Sequence, residues 1–121
     1  MSFLIPLKKL IKELDKMWAE VIKARDGHKC VRCGKIEGLN AAHIFSRSLK
    51  SVRWSLWNGI TLCGGCHIFW AHKNPVEFTE FVKQRLGEQK YELLRQEARC
   101  IVKVTREYLE RIKFTLQSYN F

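Results

Sequence analysis

No apolar run in this 121-residue sequence approaches the length of a membrane-spanning helix, so no membrane partner is expected. The start, Met1 to Pro6, has only a few apolar residues before Lys8 and Lys9. That is far short of the apolar stretch of a secretory leader, and a cytoplasmic location is expected. There is no low-complexity linker and no internal repeat beyond two short cysteine pairs, so residues 1–121 read as one domain. Acidic residues are scarce: 12 Asp and Glu face 22 Lys and Arg, a formal net charge of +10. The imbalance is uneven, because residues 1–74 carry 13 Lys and Arg against 5 Asp and Glu. Such asymmetry suits a polyanionic partner, most simply nucleic acid.

What the chain does have is cysteine in a regular pattern. Cys30-x-x-Cys33 and Cys63-x-x-Cys66 are separated by 29 residues, with His43 in the gap and His67 directly after the last cysteine. Paired Cys-x-x-Cys knuckles are the spacing of a closed tetrahedral zinc site. In a reducing compartment they read as metal ligands rather than disulfides. The segment from about Gly27 to Asn74 is too short to hold a large core, and a structural Zn2+ would staple it. Cys100 is left over; its apolar neighbours Ala98, Ile101 and Val102 suggest a buried thiol.

Periodicity divides the chain into 1–27, an N-terminal amphipathic helix, 28–74, the zinc-stapled core, and 75–121, a helical extension. After Pro6, apolar residues at Leu7, Leu10, Ile11, Leu14, Met17, Trp18, Val21 and Ile22 recur at helical spacing. Gly27 should stop that helix. Lysines 8, 9, 12, 16 and 23 fill its polar side, either solvated or touching phosphate. Leu39 to Ile44 reads as a strand, Phe45 to Trp57 as a long loop, and Ile60 to Leu62 as a second short strand. The residues after Cys66 look helical as far as Asn74. Pro75 to Leu86 reads as a helix stopped by Gly87, and Glu88 to about Ser118 as one long final helix. Five positions on an α-helix is about 500 degrees, so the rings of His67 and His72 should diverge and not share one metal. His72 then reads as exposed or phosphate-contacting.

The order knuckle, Ala42-His43-Ile44, loop, Trp57-Asn58-Gly59-Ile60-Thr61-Leu62, Cys63-Gly-Gly-Cys66-His67 resembles the HNH family of nucleases. The resemblance covers about residues 28 to 74. It implies an α+β fold, a small ββα-metal core with structural zinc knuckles, flanked here by an N-terminal helix and C-terminal helices. It also implies a metal-dependent DNA endonuclease. His43 would be the general base, Asn58 would organise the loop before the second strand, and His67 would hold a catalytic divalent ion, Mg2+ or Mn2+. Phosphodiester hydrolysis needs those parts: an activated water, a cation for the phosphoryl charge, and help for the leaving oxygen. One departure is Ala42. Many members place an acidic residue or a second histidine there as a metal ligand, and alanine has no ligand atom.

In the loop, Arg47, Lys50 and Arg53 could grip phosphate or remain solvated. Trp54 and Trp57 could stack on bases or fill the small core, with Trp57 the better core candidate beside its strand. Ala41-Ala-His-Ile-Phe-Ser-Arg47 and the helical tail are also, more loosely, similar to small phage-encoded proteins such as the NinG recombination family. That similarity implies recombination or branched DNA intermediates as substrates, in the cytoplasm of a bacterial host. Cutting both strands would suit a homodimer with a twofold axis. The competing readings are a non-catalytic zinc-stabilised nucleic-acid-binding module and a protein–protein adaptor using the long final helix.

Overall fold

A two-stranded antiparallel sheet lies between two helical layers in the computed structural model, which describes residues 4–119. Helix α1 spans Leu7–Arg25, strand β1 Leu39–His43, strand β2 Gly59–Cys63, α2 Pro75–Leu86, α3 Glu88–Ala98 and α4 Arg106–Ser118. A 3-10 turn, Leu56–Asn58, leads into β2, and a π-helical segment, Cys66–Ala71, follows the second knuckle. The architecture is α+β with a small ββα core.

Helix α1 forms because its buried residues Leu10, Leu14, Trp18 and Ile22 recur every fourth position on one stripe. Pro6 starts it by supplying the carbonyl that accepts from Lys9 N and Leu10 N. It ends in a Schellman motif: His28 N–H reaches Lys23 O at 2.9 Å and Gly27 N–H reaches Ala24 O at 3.1 Å. Gly27 takes φ +70° there, the left-handed conformation the motif needs.

The strands pair with Ala42 opposite Ile60 and His43 opposite Gly59. Alternation then sorts the faces. Ala42, Ile60 and Leu62 join Trp70, Ala71 and Val82 in one core, under the π-helical segment and α2. The opposite face meets α1, where Leu10, Leu14, Trp18 and Ile22 pack with Trp54, Leu109 and Leu116. A hairpin of this size is at best marginal alone; burial on both faces makes it stable.

Two neighbouring residues of α1's end close the outer edge of β2. The buried Asp26 carboxylate accepts from Thr61 N at 2.9 Å, while Arg25 donates to Gly59 O at 2.8 Å and Leu56 O at 2.6 Å. Arg25 and Arg85 both pair with Asp26, at 2.9 and 3.3 Å.

The structure corrects three readings. The final helix is two helices. The β-branched residues Ile101, Val102 and Val104 disfavour helix, and Thr105 caps a new start by accepting from Tyr108 N at 3.1 Å. The break lets α4 fold back on α1, where Lys113 meets Glu13 at 2.9 Å. Cys100, in that break, is exposed. Finally, Trp54 fills the core at 4% exposure, whereas Trp57 is 44% exposed, with Lys90 3.6 Å from its ring centre. The 3-10 turn directs Asn58 inward and its neighbour Trp57 outward.

Burial acts to raise the Asp26 carboxyl, but Arg25 and Thr61 outweigh it and hold the group below its ordinary 3.8. The folded state therefore binds this proton less readily than the unfolded chain. Its contribution is complete above the ordinary carboxylate range and is lost as pH falls through 3.8 and below. Asp26→Asn should lower unfolding free energy by about 3 kcal/mol at neutral pH, the cost of removing one partner of a buried pair. Urea titrations at pH 7 and pH 3 check this: the deficit against wild type should shrink at the acid end.

Candidate metal centre and histidine cleft

The sulfurs of Cys30, Cys33, Cys63 and Cys66 all lie within 4.8 Å of one another. Among the described residues they are the one group of three or more potential ligands so arranged. Four sulfurs about 2.3 Å from a tetrahedral zinc stand about 3.8 Å apart, and Cys33 Sγ and Cys63 Sγ are separated by 3.6 Å. The first knuckle closes through Gly34 N–H to Cys30 O at 2.8 Å, with Gly34 at φ +81°. In the second, Cys66 N–H points at Cys63 Sγ at 3.5 Å. Arg32 donates to Cys66 Sγ at 3.5 Å and lies over the Trp70 ring at 4.1 Å.

The thiols differ in acidity. Burial acts to raise Cys30, but surrounding backbone N–H groups overcome it and bring the thiol down to about 6. Burial drives Cys66 up to about 12. Four thiols this close cannot all ionise without a cation between them, and a divalent ion supplies it. The cluster is arranged to bind a metal ion and is compatible with structural zinc.

His43 ends β1 on the face toward α1. Its ring stacks on Trp18 with centres 4.0 Å apart and planes 11° apart. Its Nε2 lies 3.0 Å from the Arg53 carbonyl oxygen. A carbonyl only accepts, so Nε2 carries the hydrogen and Nδ1 keeps its lone pair. Burial lowers the His43 pKa below 6.5, only partly opposed by that carbonyl, and the positive Arg47 lowers it further. The imidazole is thus neutral near pH 7 and able to take a proton.

The stack depends on Gly59, directly across the ladder from His43. A Cβ there would sit 2.4 Å from Trp18 Cζ2, so glycine is what lets the indole lie flat against the strand. Trp18 is held along its other edge by Nε1–H donation to Ser55 O at 2.8 Å.

Asn58 is fully buried at the end of the 3-10 turn. Its Oδ1 accepts from Phe45 N at 2.8 Å, and its Nδ2 donates to Phe45 O and Val52 O, both at 3.0 Å. One amide thereby joins both ends of the loop to its middle, one residue before the carbonyl that His43 meets.

His67 and His72 lie on the π-helical segment and its C-cap. The ring centres are 4.6 Å apart at 75°, so the divergence expected of an α-helix does not occur. The segment makes i→i+5 bonds, including His72 N–H to His67 O at 3.2 Å. Residues five apart therefore stand over one another. Burial, then the neighbouring His72, lowers the His67 pKa below 6.5.

His43, His67 and His72 all line two adjoining clefts of 410 and 470 Å³ around the free edge of β1. Ala42 lines the first, while Asp15, Ala19 and Arg47 line the second. This arrangement offers a neutral imidazole as proton acceptor beside a pair of nitrogen donors.

The loop cations differ. Arg47 is exposed and 3.3 Å from Asp15. Lys50 is half-buried, its Nζ donating to Ser48 O at 3.3 Å. Arg53 is buried: its Nε and Nη2 donate to the two Asp15 oxygens at 3.0 and 2.7 Å. Its guanidinium holds the loop to α1 instead of facing solvent. Sequence reasoning missed Asp15 and placed Trp18 only in a core, because both act on the site from a helix outside the motif. That helix carries three acids, Glu13, Asp15 and Glu20, and nothing in their spacing singles out Asp15.

Residues 30–74 match the family model described as HNH endonuclease. No curated protein and no solved structure matches the chain.

Native mass spectrometry should find one zinc per chain, bound by all four thiolates. Cys66→Ser should abolish that stoichiometry and lower thermal stability, and a strong chelator should do the same to the wild type.

Proposed function

We propose, from the HNH endonuclease segment at residues 30–74, that the chain is a metal-dependent endonuclease hydrolysing phosphodiester bonds in DNA. The observation that carries this reading is the convergence of a neutral, oriented His43 and the His67–His72 pair on one cleft edge.

In this reading His43 is the general base. A water entering the cleft gives its proton to Nδ1, while the Arg53 carbonyl keeps Nε2 protonated and the ring in place. Trp18 bars rotation of the ring about its own axis. Asn58 and Asp15 act as positioning residues, holding the loop that carries the Arg53 carbonyl. His67 and His72 would hold the catalytic divalent ion, which supplies charge neutralisation at the phosphoryl and leaving oxygens when bound. The pair supplies two donors where Ala42 supplies none. Imidazole donors fit Mg2+ poorly, since that ion prefers oxygen and keeps its water. Mn2+ is therefore the better match of the two. Phage recombination or branched intermediates are the substrate setting suggested by the looser sequence similarity.

A second reading, a zinc-stabilised module that binds nucleic acid without cutting it, rests on Ala42 alone. It leaves the flat stack of His43 on Trp18 and the paired histidines without use.

Nicking of supercoiled plasmid distinguishes the two. Wild type should nick with Mn2+ more readily than with Mg2+, and His43→Ala should be about 10²- to 10⁴-fold slower with unchanged DNA binding. Because the base must be neutral and its pKa lies below 6.5, the rate should climb with pH on the acid side and level off by neutrality. Absence of nicking with every divalent ion, with DNA bound equally by wild type and His43→Ala, would establish the binding module. His72→Ala should raise the Mn2+ concentration needed for half-maximal rate and leave the acid limb in place. An unchanged requirement would leave His67 as the only protein ligand.

A further inference from the structure

We infer that the lysine side of α1 is the rail along which the DNA backbone is led to the histidine cleft; this rests on the nuclease reading and supplies its substrate-binding surface. Helix α1 lies outside the segment that matches the HNH family. At about 100° per residue, Asp15 and Ala19, which line the cleft, sit at one border of its buried stripe. Lys8, Lys12 and Lys16 follow in the next sector, with Lys9 at its far side, and all four are exposed. None of these four has an ion-pair partner among the described residues.

The helix's acids are engaged by other cations. Glu13 is turned toward α4 and paired with Lys113, and Glu20 is paired with Lys23. Asp15, the one carboxylate on the cleft side, is neutralised by both Arg53 and Arg47. The border of the cleft therefore carries a net positive charge.

A merely solvated helix face is better built another way. Lys8, Lys12 and Lys16 are spaced i, i+4, i+8, so each repels the next, which destabilises a helix by a few tenths of a kcal/mol per pair. Lys8 and Lys9 also occupy the first turn, which holds no acid, although the helix dipole favours anions there. The first-turn lysines oppose local stability, and a polyanion laid along the face reverses that penalty and screens the lysines from one another. From Lys8 to Lys16 is about 12 Å along the axis, the axial rise of about three to four base steps of duplex at 3.4 Å each.

The test uses the zinc-loaded full chain and a short duplex in chelator-free buffer with no added Mg2+ or Mn2+, so that no cleavage occurs and the zinc stays in place. Two triple variants carry the same charge loss: Lys8, Lys12 and Lys16 to Gln, and the exposed Lys29, Lys35 and Lys103 to Gln. The first should bind at least ten-fold more weakly at 0.1 M salt. Its slope of log affinity against log salt should fall by about 2 to 3, at about 0.9 per lost phosphate contact. The second should stay near wild type. The first should also melt no lower than wild type, because like-charge repulsion is relieved, which separates lost contacts from lost folding. Equal effects from the two variants, or no effect from the first, would overturn the rail. Rail-dependent binding by a protein that never nicks DNA would sink the nuclease reading and keep the rail.

Discussion

Four sulfurs drawn together behind a hairpin only five residues to a strand set the terms for the rest of this molecule. The first knuckle precedes β1 and the second ends β2, so closing the sulfur cluster fixes where the hairpin starts and stops. Cys66 is also the first residue of the π-helical segment. The same closure thus sets the position of His67, one residue on. Scaffold and cleft are adjacent along the chain, and no flexible connection separates them.

The other face of the hairpin is settled by α1, and here packing and site chemistry cannot be separated. Trp18 is part of the apolar core and at the same time the surface against which His43 lies. Asp15 closes the half-buried flank of the helix and, through Arg53, holds the loop whose carbonyl orients that imidazole. Asn58 completes the loop from below. An irregular loop with this many inward-facing polar groups is stable because nearly every one finds a partner; among the described buried side-chain polar atoms only Ser51 Oγ lacks one.

Features encoded by neighbours in sequence were readable in advance. The stripe of α1, the stop near Gly27, the two knuckles, both strands and α2 follow from spacing and local preference. What escaped reading depends on distant parts of the chain. Trp54 and Trp57 are chemically alike, and only the 3-10 turn decides which is buried. Arg53 looked like its neighbour Arg47 until Asp15 claimed it. The long final helix breaks because α4 gains more by returning to α1 than α3 would by continuing past Ala98. His67 and His72 were visible as residues, but their approach rests on one extra residue per turn, a departure from α-geometry that no periodicity announces. The motif identified candidate residues for the cleft; the helix that orients them lies outside it.

Cys33 is the one exposed member of the sulfur cluster; its three companions are buried. Oxidants and thiol-seeking metals would therefore meet the cluster at this single corner. Damage there would pass through Cys63 and Cys66 to the turn bearing the histidines. In a protein built this way, loss of reducing conditions would reach a cleft that contains no sulfur at all.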